Sequence, residues 1–438
     1  MPAVRTPGRL PELTSHPPLA RRLSTFDAVV IGLGSMIGAG VFAAFTPAAQ
    51  AAGTGLLIGL LLAAAVAFCN ATASAQLAAE YPTSGGTYVY GRERLGPWPG
   101  FLAGWGFVIG KTASSAAMAL TFAAYAAPAG WERPVAIAAV VLLAAVNYRG
   151  VTRTAGMARI IVAAVLTVLA LVVAACWGPG AGVHVAIDVF DDGGTRSHGW
   201  YGVLQSTGLL FFAFAGYARV ATMGEEVLNP RKAIPRAIVT ALAIAVTVYA
   251  AIAVSVLSVL GPDGVARTPA PLAAAVSAGS WEWAVPVVRL GAALAALGAL
   301  LALIAGLGRT SLAMAREADL PRWLAAVHPR FQVPHRAELV LAAVICLIIG
   351  VADLRGAIGF SSFGVLLYYL VANIAAYTQS PGNRRYPKTL QVAGALGCAV
   401  LVITLPAESV VAGLVMFAVG VVYRLVRLRL RLRRARTR

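Results

Sequence analysis

The chain has 438 residues, 59% of them hydrophobic and only 12% charged, with a formal net charge of +18. Soluble domains carry about 25% charged residues, so the composition excludes a soluble globular protein and indicates a polytopic membrane protein. The placement of the positive charge argues against nucleic acid as a partner: eight Arg follow the last apolar run in YRLVRLRLRLRRARTR, the pattern of a cytoplasmic end beside anionic lipid.

That tail reads either as a topology anchor or as a regulatory lipid-binding segment. The first 25 residues are rich in Pro and Arg and hold no apolar core before Phe26. They predict a cytoplasmic tail and no cleavable signal peptide.

The first apolar run contains VIGLGSMIGAGVF, Val30 to Phe42, with Gly32, Gly34, Ser35, Gly38 and Gly40 inside it. Each glycine costs roughly 1 kcal/mol in a helix interior relative to alanine. Two readings account for this self-weakening. The glycines allow close helix packing through small-xxx-small spacing, or the helix is interrupted at mid-membrane. An interruption frees amide N–H groups, which suit a carboxylate, and carbonyls, which suit an ammonium. Offered together, these groups suit an α-amino acid.

A spanning helix needs about 20 apolar residues. Twelve runs meet the pattern: 26–50, 55–80, 98–126, 133–149, 157–177, 200–225, 236–260, 284–314, 337–352, 357–379, 388–405 and 407–425. With the N-terminus inside, the inner segments hold 28 Lys and Arg and the outer segments five, which places both termini in the cytoplasm of a cell-membrane protein. Lys111 and Arg219 remain, inside spans.

In the third run, GWGFVIGKTASSAAMALTF, Lys111 stands near the centre. A central Lys costs about 2.5–3.5 kcal/mol on insertion scales, so it is expected to face a cavity or a partner. Gly104, Phe107, Val108, Lys111, Ser114, Ser115 and Met118 share one helical face. Lys111 reads as a titrating gate, as a fixed charge that repels cationic substrates, or as a structural partner of a carboxylate or of helix-end carbonyls.

The sixth run contains LLFFAFAGYARVATMGEEVLNP, with Gly216 between apolar halves and Phe211, Phe212, Phe214 and Tyr217 around it. Paired Gly-interrupted segments in corresponding positions of two repeats point to a midplane binding site. Unwound backbone at that depth is tolerated only where it is buried in protein or lines a cavity. Glu225 and Glu226 close the sixth run; they read as a cytoplasmic gate pairing with Arg159, Arg219 or basic loop residues, or as interfacial charges. Asp27 opens the first run either as part of that gate or as a helix N-terminal charge. Ser361 and Ser362 are weaker candidates for an outer vestibule. The four cysteines fall in apolar runs as buried free thiols, the five histidines have no metal spacing, and the scarcity of Lys (three against 32 Arg) points to a GC-rich bacterial source.

At these residues the chain resembles the amino acid–polyamine–organocation (APC) family of transporters. FDAVVIGLGSMIGAGVF is similar to the family's first-helix pattern GxxIGxGIF. FFAFAGYARVATMGEEVLNPRKAIPRAI is similar to its sixth-helix pattern FxAFxGFDxxxxxxEExxNPxRxIPxAI, and YPTSGGTYVYGRERLGPWPGFLAGW to the third-helix entry. LAMAREADLPRWLAAVHPRFQVPHRA resembles the segment after the eighth span.

The resemblance implies an all-α membrane bundle of twelve transmembrane helices, a five-plus-five inverted repeat (LeuT-like) with discontinuous helices 1 and 6, and alternating access. The implied division is a tail 1–25, repeats 26–177 and 200–380 around an extracellular loop 178–199, accessory spans 381–425 and a basic tail 426–438. Two departures stand out. The sixth-helix Asp is replaced by Ala218, followed by Arg219. Val165 stands where many proton-coupled relatives carry a fifth-span Lys.

The sequence therefore reads as a secondary active transporter of an α-amino acid, neutral or acidic rather than cationic, by proton symport or exchange. An amine or polyamine transporter, a sensor or a channel is the alternative. A membrane-embedded enzyme lacks the nucleophile, metal set or acid pair it would need. The expected substrate-binding set is Ile31, Gly32, Gly34, Ser35, Met36, Ile37, Gly38, Gly40, Lys111, Phe211, Ala213, Phe214 and Gly216. Backbone N–H groups at Ser35–Gly40 take the carboxylate, and carbonyls near Ile31–Gly32 and Phe211–Phe214 take the ammonium. Phe214, from the resemblance, touches the side chain. The coupling or gating set is Lys111, Glu225, Asp27, Arg159 and Arg219. The expected partners are the amino acid, protons and the lipid bilayer, with no nucleic acid, cofactor or metal.

Overall fold

Ser24 and Asp27 close a capping box, each side chain satisfying the other residue's backbone N–H, and this starts α1 (Thr25–Met36). A computed structural model describes residues 23–38, 40–82, 85–149, 155–178, 197–224, 226–279 and 281–436. Residues 1–22 of the predicted N-terminal tail, most of the loop 178–199 and Glu225 lie outside the described residues.

After α1 come α2 (Gly40–Ala43), α3 (Phe45–Ala52), α4 (Leu56–Glu80), α5 (Thr87–Leu95), α6 (Pro97–Ala126), α7 (Glu132–Tyr148) and α8 (Ala155–Trp177). The second half of the chain forms α9 (Ser197–Phe214), α10 (Ala218–Ala221), α11 (Pro230–Arg267), α12 (Pro271–Ser277), α13 (Val285–Arg316), α14 (His335–Val351), α15 (Leu354–Tyr377), α16 (Lys388–Thr404) and α17 (Ala407–Arg436). Proline in the first turn starts α6, α11, α12 and α13, where its missing N–H costs nothing. Among the described residues there are no strands, only one isolated parallel bridge, Leu23 to Val227.

Among the described residues, nine helical stretches are long and apolar enough to cross a membrane. The other predicted runs, 133–149, 337–352 and 388–405, become α7, α14 and α16, each 17 residues. That is about 25 Å of helix against about 30 Å of hydrocarbon. Exposed apolar side chains such as Leu142, Leu347, Ile403 and Leu414 coat these helices and α17. Exposed Trp131, Trp177, Trp200 and Trp283 stand at or beside helix ends, as interfacial aromatics do. The molecule is a multi-pass membrane protein.

Burial separates centre from edge. The apolar windows of α6, of Gly199–Ala221 and of α15 are 72%, 78% and 72% buried, whereas that of α17 is 22% buried. α17 is nevertheless tied to the bundle at its arginine-rich end. Asp319, just past α13, receives Arg424 of α17 on Oδ1 at 2.8 Å, and Arg92 and the Tyr88 hydroxyl of α5 on Oδ2, each at 2.8 Å. The Arg424 guanidinium also lies over the rings of Phe101 and Trp98, 4.5 and 4.8 Å from their centroids. At the same end, Leu23 donates its N–H to Glu226 O (3.0 Å) and accepts from Leu228 N–H (2.8 Å). The entry to α1 is thus pinned to the chain leaving α10.

Candidate functional site: two broken helices and the hollow between them

Both glycine-marked segments break. α1 runs unbroken through Gly32 and Gly34 to Met36, and Ile37 N–H still donates to Leu33 O at 2.7 Å. The chain then leaves the helix and resumes at Gly40 as α2. In the second segment α9 ends at Phe214, tightens into a 3₁₀ turn at Ala215–Tyr217 and continues as the single turn α10.

The breaks lie against each other. A methyl on Gly216 would stand 2.2 Å from Ser35 O, and one on Gly40 would stand 2.6 Å from Ala213 Cα. Only glycine permits two backbones to approach this closely.

Hydroxyl and ammonium groups meet the carbonyls that the breaks free. The Tyr249 hydroxyl lies 2.6 Å from Met36 O and 3.0 Å from Ala213 O, so a single side chain joins both breaks. Lys111 Nζ donates to Ala215 O at 3.2 Å, and the Tyr369 hydroxyl reaches the same oxygen at 3.3 Å. Of the three roles open to Lys111, the contact observed is with helix-end carbonyls. An ammonium has three protons to donate, and this bond uses one. The predicted ammonium site at Ile31–Gly32 falls inside α1, where Ile31 O accepts the Ser35 hydroxyl at 2.8 Å. The helix end, with its free carbonyl, lies one turn further on, at Met36.

A hollow of two lobes flanks the crossing. The larger, about 260 Å³, is lined by Ile31, Gly34, Ser35, Ile37 and Gly38 of the first segment, by Val162 and Val165 of α8, and by Ala295 and Ala302 of α13. The smaller, about 80 Å³, is lined by Ser35, Met36, Gly40, Phe107, Lys111, Ser114, Met118, Phe212, Gly216, Thr222 and Thr310. Ser35, Arg219, Ala302 and Arg309 line both. Together the lobes reach the lower end of the about 300–1,000 Å³ typical of small-molecule pockets.

The larger lobe extends to Leu23, Glu226 and Arg309 at the arginine-rich end. Toward the opposite end the path is packed shut. Phe42 and Tyr125 meet edge to face at 5.7 Å, and the Tyr125 hydroxyl donates to Phe42 O at 3.1 Å.

Of the predicted face of α6, Phe107, Lys111, Ser114 and Met118 line the hollow, while Gly104 packs on Tyr88 and Met314. Ser361 is buried and shares a 2.6 Å hydrogen bond with Ser114. Gly32, Phe211, Ala213 and Phe214 stand behind the lining. The aromatic wall is Phe212, two residues before the expected Phe214, whose fully buried ring instead packs on Tyr249 at 5.1 Å.

The signal for Phe212 was present in the sequence: Phe212, Ala215, Gly216, Arg219 and Thr222 repeat at the 3–4 spacing of one helical face. Phe214→Ala is expected to lower stability by about 3–5 kcal/mol, as for an emptied core aromatic. Phe212→Ala is expected to shift half-saturation severalfold. Thermal unfolding and uptake titrations on both variants check this contrast.

At Asp27 the two readings coincide, whereas Glu226 meets an arginine that was not named for it. Asp27 both caps α1 and accepts from Arg159 of α8, from Nε at 3.0 Å and Nη2 at 2.5 Å. Glu226 pairs with neither Arg159 nor Arg219 but with Arg309 of α13, at 3.6 Å. Arg219 bonds only to Thr222 Oγ1, at 3.5 Å, among the described residues.

A membrane-crossing bundle with a hollow at the crossing of two helix irregularities, lined by Ser35, Lys111 and Arg219, fits a transporter. The amino acid permease family matches residues 23–424, and the chain belongs to that family. It is 59% identical to an uncharacterized transporter of Mycobacterium tuberculosis, over 92% of this chain and 90% of that protein. It is 28% identical to the chloroplastic cationic amino acid transporter 7 of Arabidopsis thaliana, over 82% of this chain and 65% of that protein. It is also 24% identical to the branched-chain amino acid permease BcaP of Bacillus subtilis, over 92% of each.

Proposed function

We propose that this chain is a secondary active transporter of an α-amino acid, neutral or acidic rather than cationic, working by alternating access with proton symport or exchange. The observation that carries the reading is the mutual crossing of the two helix breaks beside a polar hollow, with Gly216 against Ser35 and Gly40 against Ala213. The substrate carboxylate takes the N–H groups of the first turn of α2, which have no intrahelical acceptor. The substrate ammonium competes with Lys111 for Ala215 O.

In this reading the twelve runs all cross, with α7, α14 and α16 as short crossings. Residues 26–177 and 200–380 form the inverted repeats, and α16 and α17 are accessory. The arginine-rich end, with both termini, faces the cytoplasm across the cell membrane. The hollow, continuous with that end and packed shut at the other, is then the inward-facing state.

Relatives are named for cationic and for branched-chain amino acids. Lys111 and Arg219 in the lining of this hollow argue against a cation. Proteoliposomes loaded with candidate amino acids, with and without a pH gradient, test the proposal. Saturable uptake is expected. A requirement for the gradient indicates symport, and a requirement for internal substrate indicates exchange. Unsaturable flux would overturn the transporter reading, and robust lysine or arginine uptake would overturn the exclusion of cations.

A further inference from the structure

Among its described lining residues the hollow holds three cations, Lys111, Arg219 and Arg309, against one carboxylate, Glu226. Lys111 lines the smaller lobe and Arg219 lines both. Among the described residues neither touches a carboxylate: Lys111 bonds Ala215 O, and Arg219 bonds Thr222 Oγ1. Arg309 is matched by Glu226 at the mouth. The buried carboxylates of Asp27, Asp319 and Glu338 line neither lobe. Lys111 is buried and Arg219 part-buried, and among the described residues no carboxylate is bonded to either, so an anion brought by a ligand is favoured beside them.

Their spacing matters as well. Lys111 is anchored at Ala215, and Arg219 is four residues further along the same helical face. The two cations therefore attach about 6–7 Å apart along the axis, since part of the stretch is the 3₁₀ turn. A guanidinium presents a planar fork that matches a carboxylate with two parallel hydrogen bonds.

We infer that Arg219 recognises a second, side-chain carboxylate, so that the substrate is an acidic α-amino acid. This rests on the proposed transport of an α-amino acid by the same site. Arg219 binds the side-chain carboxylate, and the head-group carboxylate lies beside Lys111. Thr222, bonded to Arg219, orients the guanidinium. The resemblance to the family supplies no such residue, because Arg219 follows Ala218 at the point where this chain departs from the family pattern.

The test uses the purified full-length chain and pairs each acid with its amide. Dissociation constants for L-aspartate, L-glutamate, L-asparagine, L-glutamine and L-leucine are measured by calorimetry and confirmed by counterflow in proteoliposomes. Hydrogen bonds to charged groups predict that each acid binds at least about tenfold more tightly than its amide. In Arg219→Gln that ratio is expected to fall toward one, whereas a merely structural role would weaken acid and amide together and preserve the ratio. Should the variant fail to fold, the wild-type ratio decides alone. Amides binding as tightly as acids would overturn this inference and leave amino acid transport standing. Failure of every amino acid to bind would overturn the transport reading as well.

Discussion

Gly216→Ala is expected to lower transport roughly ten- to hundredfold while the protein still folds. The methyl it adds must occupy a point 2.2 Å from Ser35 O, 2.3 Å from Ser35 C and 2.6 Å from Met36 N. All three are backbone atoms, so no side chain can swing aside. The two segments have to separate, and the separation also strains Tyr249, which holds Met36 O and Ala213 O together.

Overpacking of this kind costs about 1–3 kcal/mol, which corresponds to the stated loss if it falls on the transporting conformations. Gly350→Ala is the control, since nothing lies within 4 Å of a methyl there. Uptake by both variants, with thermal unfolding as a check on folding, decides the matter. Wild-type transport by Gly216→Ala would mean that the breaks need not touch.

How much of this was readable beforehand depended on whether the signal was local. The apolar runs and the glycine clusters are local, and the positions of the helices and the existence of both breaks followed from them. The residue at which the first helix opens did not. Gly32 and Gly34 carry the same propensity penalty as Gly38 and Gly40, yet α1 continues through them, so tertiary contact overrides propensity there. What places the opening after Met36 is where the second segment crosses, a contact between residues about 180 apart.

Phe212 was missed for a different reason. Its helical face was readable from spacing, but the family pattern drew attention to Phe214, two residues away and so on the far side of the same helix. Tyr249 and Tyr369 read as ordinary aromatics in apolar runs. Their hydroxyls find carbonyls on other helices, and nothing nearby in sequence marks those oxygens as free. The partners in the ion pairs have the same origin. Glu226 meets Arg309 and Asp27 meets Arg159, pairs set by helix packing rather than by nearness in the chain.

Asp319 was likewise invisible in sequence, and it carries a large expected effect on stability. Its carboxylate and the Arg424 guanidinium are each only 8% exposed, and Arg92 and the Tyr88 hydroxyl complete its coordination. Burial, followed by the Asp319 charge, holds the Tyr88 phenol far above its usual range, so it remains a donor to that carboxylate at any physiological pH.

Asp319→Ala leaves Arg424 buried without a counter-charge, which costs about 3–5 kcal/mol for a broken buried pair. The converse change, Arg424→Met, is expected to cost less, because Asp319 keeps Arg92 and Tyr88. The double variant is expected to be more stable than Asp319→Ala alone, since it removes the stranded charge.

α17 contributes nothing to the lining of either lobe. The half-saturating substrate concentration of the folded fraction should therefore stay near wild type in all three variants while the unfolding temperature falls. Thermal unfolding in detergent reads the first-order effect, and uptake normalised to folded protein reads the second. An unfolding temperature unchanged by Asp319→Ala would show that α17 is held by its apolar face alone.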